Sequence, residues 1–173
     1  MSIVENDVAA DRRLSRTIAL TVNGRAYQRR VSTRKSLADF LREDIGLTGT
    51  HVGCEHGVCG ACSLFVNGVL LRSCLMLAVQ CDGAEIGTIE GLGQHKLHAV
   101  QQAFWDHHAL QCGFCTPGMV LTVLDLVTRS KGELSEADVR ANLSANICRC
   151  TGYQFIVDAT LEVARQFRER KRI

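Results

Sequence analysis

The sequence predicts an α+β chain in two parts, a sheet-bearing first half followed by a helical second half. Three observations predict it. Two Asn-Gly dipeptides, Asn23-Gly24 and Asn67-Gly68, each join short segments rich in alternating apolar and β-branched residues, the pattern of tight hairpins. From His98 onward the apolar residues recur instead at helical spacing. Eight of the nine cysteines also divide evenly, with Cys54, Cys59, Cys62 and Cys74 in the first half and Cys112, Cys115, Cys148 and Cys150 in the second.

Residues 1–16 carry no element pattern and are expected to form a mobile tail. Residues 17–22 and 25–31 flank the first Asn-Gly turn and form a hairpin. A short amphipathic helix follows from about Ser36, with Leu37, Phe40 and Leu41 on one face. After the cysteine-rich loop, residues 63–66 and 69–71 repeat the hairpin pattern, and residues 85–89 give one more strand. A sheet with one helix and a loop carrying C-x4-C-x2-C is the plant-type ferredoxin (β-grasp) arrangement, assigned to residues 17–90. Gly91 and Gly93 mark a linker.

Residues 91–173 are expected to form four helices. Val100, Ala103, Phe104 and His107 share one face, and Val120, Val123, Leu124 and Val127 share another on a helix with Thr116 as N-cap and Pro117 at its first position. Ser135 and Asp138 make a capping box for a third helix running towards Ile147. The fourth begins near Thr151 and carries Ile156, Ala159, Val163 and Phe167. These helices contain a repeat: helix, Cys112-x-x-Cys115, Thr116 and helix are echoed by helix, Cys148-x-Cys150, Thr151 and helix. Each pair then donates two sulfurs from its connection to one centre at the end of a four-helix bundle.

The chemistry of the cysteines can be narrowed by elimination. No apolar segment near the N-terminus is long enough for a secretory core, and Arg12-Arg13 lacks the context of a twin-arginine signal, so a disulfide framework is not expected. Structural zinc favours paired C-x-x-C knuckles over a glycine-packed C-x4-C-x2-C, and a Rieske centre needs a C-x-x-H that does not follow Cys54 and His56. Iron-sulfur ligation by both sets is the reading that remains, with Cys81 left over as a structural thiol. An oxidised [2Fe-2S] centre with four thiolates carries a charge of about minus two, so it wants converging donors. Gly53, Gly57 and Gly60 let the backbone amides of the first loop turn towards sulfur, and Arg149 either adds positive charge at the second set or is simply an exposed arginine. His56 reads as a loop spacer.

At 173 residues, 46% hydrophobic and with a net charge of +2, the composition is that of an ordinary globular chain. The charge gives no indication of nucleic-acid binding, no segment reaches the length of a membrane span, and neither a dinucleotide-binding G-x-G-x-x-G nor a P-loop is present. A free-standing two-centre ferredoxin would need an acidic docking surface, and a zinc-stapled interaction module would be colourless.

The segments Gly53-Cys54-Glu55-His56-Gly57-Val58-Cys59-Gly60-Ala61-Cys62, Gln111-Cys112-Gly113-Phe114-Cys115-Thr116-Pro117-Gly118 and Cys148-Arg149-Cys150-Thr151-Gly152-Tyr153 together resemble the small iron-sulfur subunit of the molybdenum hydroxylase family, which includes xanthine oxidase, aldehyde oxidoreductase and carbon monoxide dehydrogenase. The resemblance runs from about Thr17 to Arg165, with Phe155 standing where many members have proline. It implies two [2Fe-2S] clusters on this chain, a large subunit holding the molybdenum-pterin cofactor, a medium subunit holding FAD, and a dimer of such heterotrimers in the cytoplasm. It further implies that electrons pass from molybdenum through the Cys112, Cys115, Cys148 and Cys150 set, then through the Cys54, Cys59, Cys62 and Cys74 set, to FAD. By the same resemblance Gln111 and Cys150 lie closest to the pterin. Gln111 has an amide suited to a pterin edge, although a solvated residue before a ligand would look the same. The substrate implied is an N-heteroaromatic compound or an aldehyde, with carbon monoxide as the alternative, and its pocket belongs to the large subunit.

Overall fold

The computed structural model describes residues 14–170. Its first half is a five-stranded sheet in the order β2-β1-β5-β3-β4. β1 (Ser15–Val22) and β2 (Arg25–Ser32) form the first hairpin, closed through Val22 and Arg25. Asn23 and Gly24 both take left-handed φ values, 50° and 78°, as a two-residue turn between twisted strands requires. Along β1 the side chains alternate with period two: Ile18, Leu20 and Val22 are buried while Thr17 and Ala19 are exposed. β3 (Ser63–Val66) and β4 (Val69–Arg72) repeat the design across Asn67-Gly68. β5 (Glu85–Gly87) lies between the hairpins, parallel to β1 and antiparallel to β3.

The short helix α1 (Leu37–Asp39) is capped by Ser36, whose Oγ accepts the Asp39 N–H, and runs on as a wider π-helical turn over Phe40–Asp44. Leu37, Phe40 and Leu41 are fully buried against the sheet with Leu64 and Ile86.

The second half contains α2 (Ala99–Asp106), α3 (Thr116–Arg129), α4 (Glu136–Leu143) and α5 (Gln154–Arg170). They close on a core of Val100, Phe104, Met119, Val123, Leu143 and Ile156. The Ser135–Asp138 capping box forms as expected. α3 serves both halves: Met119 and Val123 face the helices, while Leu121 joins the sheet core and Leu124 packs against both.

Several boundaries differ from the sequence reading. β1 begins at Ser15, which pairs with Ser32, so Ser15 and Arg16 are strand residues rather than tail; residues 1–13 lie outside the described part. β5 stops at Gly87 because Ile89–Gly91 turns as a 3-10 segment. The N-cap of α3 is Cys115, which makes Thr116 the first helical residue. α4 ends at Leu143 rather than near Ile147, and α5 starts at Gln154 rather than Thr151, since Gly152 and Tyr153 have φ values of 65° and 71° that no right-handed helix accepts.

Candidate functional site

The first four thiols converge from three neighbouring pieces of backbone. Cys54 and Cys59 lie in the loop between the π-helical turn and β3, Cys62 immediately precedes β3, and Cys74 sits in the 3-10 turn after β4. The Cys59 N–H points at the Cys54 sulfur at 3.4 Å. Together with the amides of His56 and Val58, it lowers the Cys54 thiol to about 6. Cys74 is pushed up to about 11, first by burial and then by the Cys62 thiol beside it. The set therefore approaches as two pairs, Cys54 with Cys59 and Cys62 with Cys74.

The second set repeats this pairing at the ends of the helices. Cys150 meets Cys112 sulfur to sulfur at 3.4 Å, both exposed, and Cys115 faces Cys148, both buried. Burial, reinforced by Cys148, raises Cys115 to about 12. Burial also acts upward on Cys148, but the hydroxyl of Thr151, 3.1 Å from its sulfur, and nearby amides bring the balance below the ordinary thiol value. The Cys112 thiol is lowered by the Phe114 amide and by Cys150.

These arrangements fit the [2Fe-2S] group that the spacing implies. Such a group takes two thiolates at each iron, which is how the thiols are paired. The backbone is also shaped for it. A Cβ at Gly53 would stand 3.3 Å from both the Cys59 sulfur and the Phe114 ring, so the bare backbone lets the loop pack closely beside sulfur.

The two thiol sets are joined by a clamp that is buried at Asn146 and open to solvent at its rim. Ile147, one residue before Cys148, donates its N–H to the Cys59 carbonyl at 2.9 Å. Asn146, 1% exposed, donates from Nδ2 to the Gly60 carbonyl at 3.0 Å and accepts from the Thr122 hydroxyl at 3.0 Å. Arg72 reaches from β4 to the Ala145 carbonyl at 2.7 Å. On the other side, His51 stacks on Phe114 with ring centroids 4.9 Å apart and bonds its carbonyl through Nδ1. No short sequence pattern flags Asn146, because its partners Gly60 and Thr122 are 86 and 24 residues away.

The remaining expected site residues can be placed directly. Gln111 and Arg149 are exposed beside the second set. His56 turns back to the Cys54 carbonyl through Nδ1, which suits a loop spacer. Cys81 is fully buried in the sheet core, its thiol raised by burial and its sulfur 3.9 Å from the Leu77 carbonyl.

The profile of the 2Fe-2S iron-sulfur cluster binding domain matches residues 20–84, and that of the [2Fe-2S] binding domain matches residues 88–161. Over 154 residues the chain is 53% identical to the caffeine dehydrogenase subunit gamma of Pseudomonas sp. (strain CBB1), covering 87% of this chain and 92% of that one. It is 49% identical over 149 residues to the nicotine 6-hydroxylase small subunit of Paenarthrobacter nicotinovorans, covering 86% and 90%. This chain belongs to the small iron-sulfur subunits of the molybdenum hydroxylases. Among solved structures, this small subunit superimposes on a chain of quinoline 2-oxidoreductase from Pseudomonas putida 86 with a TM-score of 0.85 at 48% identity, covering 90% of this chain and 98% of that one. The two matched domains account for two [2Fe-2S] centres on the small subunit. Among its described residues no helix is long and apolar enough to cross a membrane.

Proposed function

We propose that this chain is the electron-transfer subunit of a heteromeric molybdenum hydroxylase acting on an N-heteroaromatic substrate. One ferredoxin-like (β-grasp) domain, residues 15–90, holds a [2Fe-2S] group through Cys54, Cys59, Cys62 and Cys74. A four-helix domain, residues 91–173, holds another through Cys112, Cys115, Cys148 and Cys150. Once bound, such groups supply one-electron redox chemistry, which lets a subunit of this kind relay electrons from a molybdenum-pterin centre towards FAD. The observation that carries the reading is the clamp: Ile147 N–H to Cys59 C=O links the two thiol sets through one hydrogen bond between residues at or next to a proposed ligand.

The chain's own residues do three things in this account. The paired thiols bind, with Cys62, Cys115 and Cys148 buried away from water. The amides around Cys54 and the hydroxyl beside Cys148 favour the thiolate that a metal requires. Asn146, Thr122 and Arg72 fix the distance between the sets.

Exposed Gln111 and Cys150 form the face turned to the pterin of a large subunit, with the FAD of a medium subunit on the side of the first set and a dimer of heterotrimers in the cytoplasm as the assembly. Relatives named for caffeine, nicotine and quinoline stand at 48–53% identity and those named for aldehydes at 39–43%, which favours the N-heteroaromatic class over aldehydes. The test is anaerobic mixing of the assembled complex with a purine, pyridine or quinoline and, separately, with an aldehyde, while following the visible absorption of the centres. Bleaching by heteroaromatics alone is expected. Bleaching by aldehydes alone would overturn the substrate class and leave the electron-transfer role standing.

A further inference from the structure

The repeat that places a threonine after each cysteine pair leaves one hydroxyl with a specific task. Thr151 Oγ1 lies 3.1 Å from the Cys148 sulfur and accepts the Tyr153 N–H at 3.1 Å. Its oxygen already accepts a hydrogen bond from the Tyr153 N–H, and a metal-bound thiolate has no proton to donate, so the hydroxyl hydrogen is what points to sulfur. Tyr153 holds the arrangement from the other side. Its hydroxyl accepts the Cys148 N–H at 2.8 Å and donates to the Asn146 carbonyl at 3.1 Å. Its backbone pays for this position with a φ of 71°, a conformation costly for an aromatic residue and the reason α5 cannot begin earlier. Thr151 and Tyr153 thus fix Cys148 at both sulfur and backbone.

We infer that Thr151 is a potential-tuning residue, its hydroxyl donating to the Cys148 sulfur and raising the reduction potential of the helical-half centre, with Tyr153 as the residue that positions it. The inference rests on the reading of Cys148 as a ligand. Reduction adds one electron, and so one negative charge, to a centre that is already anionic; a donor aimed at its sulfur stabilises the reduced form more than the oxidised one. In the first set Leu75 follows Cys74, and Ser63 after Cys62 donates its hydroxyl to the Gly60 carbonyl while accepting from Arg72, so the set relies on backbone amides and the effect is confined to one centre.

The experiment is a redox titration of the assembled holoenzyme followed by electron paramagnetic resonance, with the signals assigned by comparison with Cys59→Ser. Thr151→Val should keep full iron and make reduction of the helical-half centre about tenfold less favourable, a negative shift of about 59 mV for one electron. Thr151→Ser should restore the wild-type value, and the other centre should not move in either variant. If Thr151→Val does not retain iron, the exchangeable-proton coupling of the wild-type helical-half signal is compared with that of Thr151→Ala; a coupling unchanged by Ala overturns the inference. An unshifted potential in iron-replete Thr151→Val also overturns it. Full iron in Cys148→Ala, which has no side-chain donor, would instead remove the ligand assignment on which it stands.

Discussion

Replacing Gly118 with alanine tests the clamp between the two thiol sets. An alanine inside a helix ordinarily gains about 1 kcal/mol over glycine. Gly118 lies in the first turn of α3, where a Cβ would stand 2.3 Å from the Gly60 carbonyl oxygen and 2.9 Å from that of Ala61. That is about 1 Å inside van der Waals contact with backbone that has no flexible end to move aside. Relief requires α3 and the Cys59–Ala61 loop to separate, which lengthens Asn146 Nδ2 to Gly60 O and Ile147 N to Cys59 O, now 3.0 and 2.9 Å. Two hydrogen bonds at about 1 kcal/mol each, with overpacking strain of about 1–3 kcal/mol, outweigh the helical gain. The net effect is a loss of about 2–4 kcal/mol, which for a chain of this size lowers Tm by about 4–16 °C. Circular dichroism gives the stability, and freeze-quenched paramagnetic resonance of the complex gives electron transfer between the centres, which should slow. A Gly118→Ala protein as stable as wild type, with unchanged transfer, would refute the clamp.

Cys59→Ser should remove the first centre and leave the helical-half centre and its reduction by substrate intact; loss of both paramagnetic signals from a folded variant would argue against independent sites. Cys81→Ala should keep full iron at a cost of about 1 kcal/mol for the lost buried sulfur, read as a small drop in Tm. In the metal-free chain the lowered value of Cys54 makes it a thiolate above about pH 6, whereas Cys74 and Cys115 stay protonated until about 11 and 12. Iodoacetamide at pH 7 should therefore modify Cys54 well before those two, with the Cys54 rate falling as pH drops through 6; peptide mass mapping that finds Cys115 first would contradict the electrostatics.

What the sequence made legible was local. Asn-Gly turns, the Ser36 cap and the Ser135–Asp138 box act within a few residues, so hairpins and helices can be read directly from spacing. The division of eight cysteines into two sets could be read from spacing, whereas the pairing within the second set could not, since Cys112 meets Cys150 across 38 residues. Helix ends near the second set were misread because apolar periodicity continues through Ile147 and Thr151. Tertiary demands override it there: Asn146 turns inward to Gly60, and Tyr153 takes a left-handed backbone to reach Cys148. The clamp itself was illegible. Gly118 is glycine because a Cβ would meet the Gly60 and Ala61 backbone, and Gly60 because a Cβ would meet the Ala145 carbonyl and the Asn146 amide, requirements that appear only once the halves are docked.

The central claim, that both thiol sets hold [2Fe-2S] groups, is tested most directly by metal and sulfide analysis of the purified chain. About four iron and four acid-labile sulfide per chain are expected, from two centres with two of each. Zinc in their place, without sulfide, would contradict the account.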